Sequence, residues 1–181
     1  MSTFIEIPEK TVFKTRRFNI RPLSLSDVTK VEMYVRDIRL ARSSGTIPHP
    51  LTPDFVKDFI EKSMSDETSL DAWGIEYEES GRAADLIGVV SLNRLDRSQS
   101  EIAYWVIPAI WNTGVATEAV KAFIEFNPQD CKTIFGSVFQ DNPASSRVLI
   151  NAGFEYIGEA ESFSVARSAM VTTWTYIKKL D

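Results

Sequence analysis

The sequence predicts an α+β fold organised around a mostly antiparallel sheet, and three observations carry that prediction. Between Ala72 and Ile107, three segments rich in β-branched and aromatic residues follow one another across polar turns, the pattern of an antiparallel meander. Directly after them, Val115, Ala116, Ala119, Val120, Phe123 and Ile124 recur at helical spacing. A further strand pattern, helix pattern and closing hairpin pattern complete the chain. Its 181 residues are expected to form one domain, residues 1–181, with no internal repeat, low-complexity tract or dividing linker.

From the N-terminus, Thr15 to Leu23 alternates apolar and polar residues, a first strand with Phe18 and Ile20 on one face. Ser26-Asp27 is expected to cap a helix from about Val28 to Arg36 whose buried side is Val31, Tyr34 and Val35. The glycine and prolines from Arg42 to Pro53 forbid regular structure for long. Thr52 then caps a second helix, with Pro53 at its first position and Phe55, Val56, Phe59 and Ile60 on its core face. Ala72–Tyr77 and Asp85–Leu92 read as strands joined across Glu78–Arg82, and Asp96–Ser100 turns into a third strand, Glu101–Ile107. Pro108, which cannot donate to a ladder, ends it.

The turn that follows, Trp111-Asn112-Thr113-Gly114-Val115-Ala116-Thr117, opens the helix. Small residues at Gly114 and Ala116 allow close approach, and the unpaired N–H groups of a helix start carry the positive end of its dipole, so this end suits an anion. The segment lacks the lysine of a Walker loop and the three glycines of a dinucleotide fingerprint. Read locally, it is equally a helix start whose small residues only pack closely. Thr133–Gln140 is the next strand; Asn142 caps the following helix, Pro143 presets its first turn, and Gly153 closes it before Phe154. Local structure alone accounts for that run. Ser162–Met170 and Val171–Lys178 read as a closing hairpin.

The order strand, turn, Trp111-x-x-Gly114-x-Ala116, helix resembles the acetyl-CoA pyrophosphate loop of the GNAT superfamily of N-acetyltransferases. Ala103-Tyr104-Trp105 with Gly114-Val115-Ala116-Thr117-Glu118-Ala119 is most similar to the Rim-type branch, which acetylates ribosomal-protein N-termini. So are the opening Thr15-Arg16-Arg17-Phe18 and Arg21-Pro22-Leu23-Ser24-Leu25-Ser26-Asp27. Asn142-x-x-Ser145-x-Arg147-Val148-Leu149, ending in Gly153-Phe154, resembles the family segment that lies beside the pantetheine arm. The resemblance covers nearly the whole chain. It departs at Trp111, where the family usually has Arg or Gln; phosphate binding then falls to backbone amides.

The resemblance implies the GNAT fold: a three-layer arrangement with a mixed, six- to seven-stranded sheet, helices on both faces and a splayed central strand pair. It implies a bulge near Trp105 to Ile107 that frees backbone N–H groups, Val106 among them, to bond the thioester carbonyl. The acetyl-CoA site would comprise Trp105, Val106, Ile107, the run Asn112 to Thr117, Asn142, Ser145 and Arg147. Ser145 would protonate the departing thiolate, since a tyrosine seven residues after the asparagine is replaced by Leu149. Glu101 would deprotonate the amine directly or through water, or else is only a strand-end charge. His49 and Tyr104 would contact the acceptor. No metal is expected.

A net charge of −5 argues against a nucleic-acid binder, which would carry a basic face, and mildly favours a cationic substrate. Cys131 is the only cysteine, so no intramolecular disulfide can form. The start Met1 to Glu6 lacks a basic leader and apolar core, and no apolar run reaches membrane-spanning length, so a cytoplasmic, membrane-free protein is expected, monomeric or homodimeric. The expected reaction is acetyl transfer from acetyl-CoA to a protein N-terminal α-amine. A small-molecule amine acceptor (polyamine, amino acid or antibiotic) and a catalytically silent CoA-binding module are the alternatives.

Overall fold

A computed structural model describes residues 12–181; the reading of the first six residues lies outside them. One eight-stranded sheet runs in the order β1-β2-β3-β4-β5-β6-β8-β7. Its strands are β1 (Phe13–Lys14), β2 (Asn19–Pro22), β3 (Leu70–Tyr77), β4 (Asp85–Arg94), β5 (Gln99–Val106), β6 (Thr133–Phe139), β7 (Glu155–Ser164) and β8 (Ala169–Lys179). Every pairing is antiparallel except β5 with β6, which is parallel. The strand count exceeds the expected six to seven because of the two-residue β1. Thr15, read as strand, instead closes the β1–β2 turn: its hydroxyl accepts from the amides of Arg17 and Phe18 and donates to the Phe18 carbonyl.

Alternation along the strands sends neighbouring side chains to opposite faces, and each face is covered by its own helices. Trp73 and Ile75 of β3 share a core with Ala119, Val120 and Phe123 of α4 (Val115–Phe126) and Leu149 of α5 (Pro143–Asn151). Ala72 faces the other way, into a core with Val31 and Val35 of α1 (Val28–Val35) and Val56 and Ile60 of α3 (Phe55–Met64). Burying one such aliphatic or aromatic side chain contributes about 1.5–3 kcal/mol. The amphipathic periods read from the sequence are the two inner helical faces of this three-layer fold.

Two local expectations are corrected. A short helix, α2 (Ile38–Ser43), stands where no helix was read; Asp37 caps it by accepting from the Arg39 amide. α3 starts behind Asp54, in the left-handed region at φ 61°, rather than at Thr52 with Pro53 inside the helix. The second helix boundary is kept elsewhere: Asn142 accepts from the Ser145 amide, Pro143 opens α5, and Gly153 at φ 89° ends it.

Between α4 and β6, the buried Gln129 amide ties three strands together. Its nitrogen donates toward the Ser69 and Leu92 carbonyls and the Asp71 carboxylate, and its oxygen accepts from the Ser100 hydroxyl at 2.6 Å. This knot lies at the end of β5 where β5 and β6 begin together.

Candidate active site

The parallel ladder between β5 and β6 is short. It joins Gln99 to Thr133, Ser100 to Ile134 and Glu101 to Phe135. Both strands run on, to Val106 and Phe139, but no longer pair with each other. The sheet is therefore split between them. The cause is divergence rather than a bulge: the β4–β5 register runs without a shift from Arg94↔Ser100 to Gly88↔Val106, so the irregularity expected near Trp105 to Ile107 is not there.

Ladder alternation then fixes which amides face the split. The Ile107 N–H donates to the Ile87 carbonyl at 2.9 Å and the Leu95 N–H to the Gln99 carbonyl, so odd-numbered β5 residues bond β4. Tyr104 and Val106 point their N–H groups the opposite way, into the gap. Ile107, expected among the cofactor residues, has its amide committed to β4. The Val106 carbonyl is taken by the Trp111 indole N–H at 2.9 Å, leaving its amide as the group presented to the gap.

Trp111 leads into the predicted helix start. Asn112 at φ 61° and Gly114 at φ 81° both adopt left-handed backbone, and the first bond of α4 runs from the Glu118 N–H to the Gly114 carbonyl. Among the described residues, the amides of Asn112 through Thr117 have no backbone acceptor. Free donors at the positive end of a helix form an anion cradle; Asn112 and Gly114 to Thr117 border a cavity at the split, whereas Thr113, expected among the cofactor residues, does not. The cradle is held from behind by a residue of the β1–β2 turn. Arg17 donates from Nη1 to the Thr113 carbonyl at 3.1 Å and from Nε to Glu118 at 2.6 Å.

Two cavities meet at the split. One, of 380 Å³, is lined by Val106, Asn112, Gly114 to Thr117 and, on α5, Ala144, Arg147 and Val148. Arg147 is the one cation on its wall and is exposed. The other, of 680 Å³, lies on the α1/α3 face between α3, the segment Ser43–Ile47 and the odd-numbered side chains of β5. Tyr104, Trp105, Asn142 and Ser145 line both.

At that junction the Asn142 side-chain amide donates to Ser145 Oγ at 3.0 Å. That bond uses one lone pair of the Ser145 hydroxyl, whose own proton is left to donate. Tyr104 donates its hydroxyl to the Ser145 carbonyl at 2.8 Å, and burial pushes its phenol well above the ordinary range. Tyr104 braces α5 against β5; it carries no free proton donor toward an acceptor. Thr113 likewise turns away, its hydroxyl on the Ile110 carbonyl.

Glu101 lines the larger cavity at the closed root of the split. Water reaches it, yet protein surrounds it, and that burial raises its carboxyl pKa above the usual value. Five residues of extended strand separate it from Val106, about 16 Å, so contact with a group held at the Val106 amide requires intervening water. The cavity's other charges are Asp58 and Lys62, one turn apart on α3. His49 is exposed and lines neither cavity.

A split sheet with a free amide at its lip, an anion cradle on one side and a carboxylate-bearing cavity on the other defines a class of protein: one that can hold an extended anionic ligand across a sheet and expose its end to a second molecule. Residues 17–155 match the acetyltransferase (GNAT) domain family, and the chain belongs to that family. It is 30% identical over 106 residues to the uncharacterized N-acetyltransferase YoaA of Bacillus subtilis (strain 168), spanning 58% of this chain and 59% of that protein. Its fold is shared with RimL, a ribosomal L7/L12 α-N-protein acetyltransferase solved with coenzyme A (TM-score 0.81, 15% identity, 94% of this chain and 99% of that one). It is shared too with the spermidine N-acetyltransferase of Vibrio cholerae, solved with CoA and spermine (TM-score 0.75, 16% identity, 91% and 96% covered).

The residues present fit a coenzyme A thioester. The unpaired amides of Asn112 and Gly114 to Thr117 suit its diphosphate, Arg147 lies on the same wall, and the smaller cavity runs from the cradle to the split. No helix among the described residues is long and apolar enough to cross a membrane.

Proposed function

We propose that the chain, as a single domain over residues 1–181, is an acetyl-CoA-dependent N-acetyltransferase acting on the α-amine of a polypeptide N-terminus. The observation that carries this reading is the split beside Val106, with its amide free and its carbonyl tied off by Trp111. Bound acetyl-CoA would supply an activated acyl thioester whose thiolate departs when the amine attacks.

The chain's own residues account for the rest. Amides of Asn112 and Gly114 to Thr117 bind the diphosphate, Arg147 adds a cation, and the side chains of Trp105 and Val148 wall the arm. The Val106 N–H bonds the acyl carbonyl as its oxygen gains negative charge, the kind of preorganised donor that stabilises such a state most. Glu101, raised by burial, takes the amine's proton along a chain of several waters, as the length of strand between it and Val106 requires. Ser145 donates its proton to the departing thiolate, oriented by Asn142. The new N–C bond forms as the C–S bond breaks: one proton passes from the ammonium to solvent-linked Glu101 before attack, Ser145 gives its proton to sulfur, and the proton that nitrogen sheds on becoming an amide restores the Ser145 hydroxyl. His49, outside both cavities, has no part.

The charge of the larger cavity supports a monoamine over a polyamine. Asp58 and Lys62, one turn apart, cancel in net charge, which leaves Glu101 as the remaining carboxylate along a space otherwise lined by apolar, hydroxyl and amide side chains. A polyammonium chain would find one matching charge and one repelling one. A small monoamine remains the alternative acceptor. The setting in this reading is a reducing cytoplasm, where buried Cys131 stays a thiol.

Thiol release with acetyl-CoA, measured across a panel of N-terminal peptides beside spermidine and amino acids, tests the proposal. Peptides are expected to lead. Binding of acetyl-CoA without thiol release for any amine would indicate a CoA-binding module instead, and no binding at millimolar cofactor would remove the proposal entirely.

A further inference from the structure

We propose that Arg17 is a positioning residue for the coenzyme A diphosphate, supplying from a distant turn the cationic support that Trp111 cannot give the loop. The inference rests on the cofactor reading above. Arg17 lies in the β1–β2 turn, fixed there because its own amide donates to the Thr15 hydroxyl. From that anchor its guanidinium forks. Nη1 holds the Thr113 carbonyl at 3.1 Å, Nε holds Glu118 at 2.6 Å, and Nη2 lies 3.6 Å from the point where a Gly114 Cβ would be.

These contacts grip the loop on both sides of Gly114. One is the carbonyl just before Gly114; the other is the first-turn side chain four residues after it. The C=O and N–H of one trans peptide group point in opposite directions, so drawing the Thr113 carbonyl outward turns the Gly114 N–H toward the cavity that Gly114 lines. Arg17 lines neither cavity. Its action is on the shape of the cradle, and its charge lies behind the donors where a diphosphate would bind. Glu118 keeps the guanidinium in place: burial disfavours its charge, but the Arg17 guanidinium, with help from the Thr15 hydroxyl and the Arg17 amide, outweighs this and holds the carboxyl below its usual pKa.

Lysine cannot reproduce this grip, since a point charge replaces a planar fork. The test compares wild type with Arg17→Gln, Arg17→Lys and Glu118→Gln, using acetyl-CoA and S-acetylpantetheine, a donor without the diphosphate. Hydrogen bonds to a charged group are worth enough that Arg17→Gln is expected to raise the KM and Kd for acetyl-CoA about tenfold or more. Its kcat should fall far less, and its KM for S-acetylpantetheine should not change. Glu118→Gln and Arg17→Lys should fall between.

An unchanged KM for acetyl-CoA in Arg17→Gln would overturn the proposal. So would equal losses with both donors, which would make Arg17 a general fold residue. If Arg17→Gln fails to fold by circular dichroism, the same two-donor comparison in Arg17→Lys decides. Wild type that binds neither acetyl-CoA nor CoA would instead refute the cofactor reading itself.

Discussion

Ser145 illustrates how much a single side chain depends on its neighbours' commitments. With Asn142 donating to Oγ and Tyr104 bonded to its carbonyl, the side chain is held in place with its hydroxyl proton uncommitted at the junction of the two cavities. Ser145→Ala is expected to lower kcat by up to about 10²-fold with little change in acetyl-CoA affinity, read from single-turnover kinetics. Unchanged turnover would remove Ser145 from the chemistry. Glu101 carries a pH signature. Burial raises its folded pKa, so its contribution to stability is fully present below the unfolded value and is lost as pH rises through the folded one. Glu101→Gln should therefore raise Tm at pH 7, with the gain vanishing near the pH where unfolded carboxylates protonate. It should also abolish the acid limb of the kcat/KM profile. A lower Tm at pH 7 would mean that the carboxylate has a stabilising partner.

At the scale of elements, the divergence of β5 from β6 relies on how closely β4 and β5 approach. A Cβ on Gly88 would lie 2.5 Å from the Trp105 carbonyl oxygen and 3.0 Å from Val106 Cγ1. Gly88→Ala thus pushes β5 toward the gap, and we expect about 1–3 kcal/mol of destabilisation with a disproportionate loss of turnover, measured by urea unfolding and thiol release on the same preparation. Normal activity with lowered stability would show that the position of Val106 tolerates such a shift. Sequence made the strand, turn and helix around Gly114 legible because their signals are local: a proline, a glycine, a helical period. It made the split legible only through resemblance, and misplaced its cause, because strand divergence leaves no mark on either strand's own pattern. α2 was missed for a related reason. Six residues give too little periodicity, and the Asp37 cap has no long apolar run behind it.

For the whole molecule, the parts hardest to read are those joined across long separations. Arg17 meets Thr113 and Glu118 about a hundred residues away, and nothing near Arg17 in the sequence distinguishes it from the exposed Arg16. A second such junction, Arg21 with Asp27 and Glu76, fastens the start of the chain to β3. Burial works to raise the Asp27 carboxyl, but bonds from Arg21 and the Ser24 amide outweigh it and hold it below its usual pKa. Its stabilisation is therefore present above the unfolded aspartate value and lost as pH falls through the lower folded one. Asp27→Asn should cost about 3 kcal/mol at pH 7, and the difference from wild type should shrink in strong acid. A constant difference across that range would place the effect in packing rather than charge.

Gln129 sets a boundary condition on all of this. Its bonds to Ser69, Asp71, Leu92 and Ser100 rivet the root of the fork, so β5 and β6 open from a fixed origin and the spacing between their tips is governed by an angle. Sliding of one strand along the other is blocked at that origin, and breathing is left to the tips. In hydrogen-exchange measurements the Val106 amide should then exchange rapidly for a strand interior while the Gly88–Val106 partner strand stays protected, and Gln129→Ala should carry fast exchange down toward Ser100.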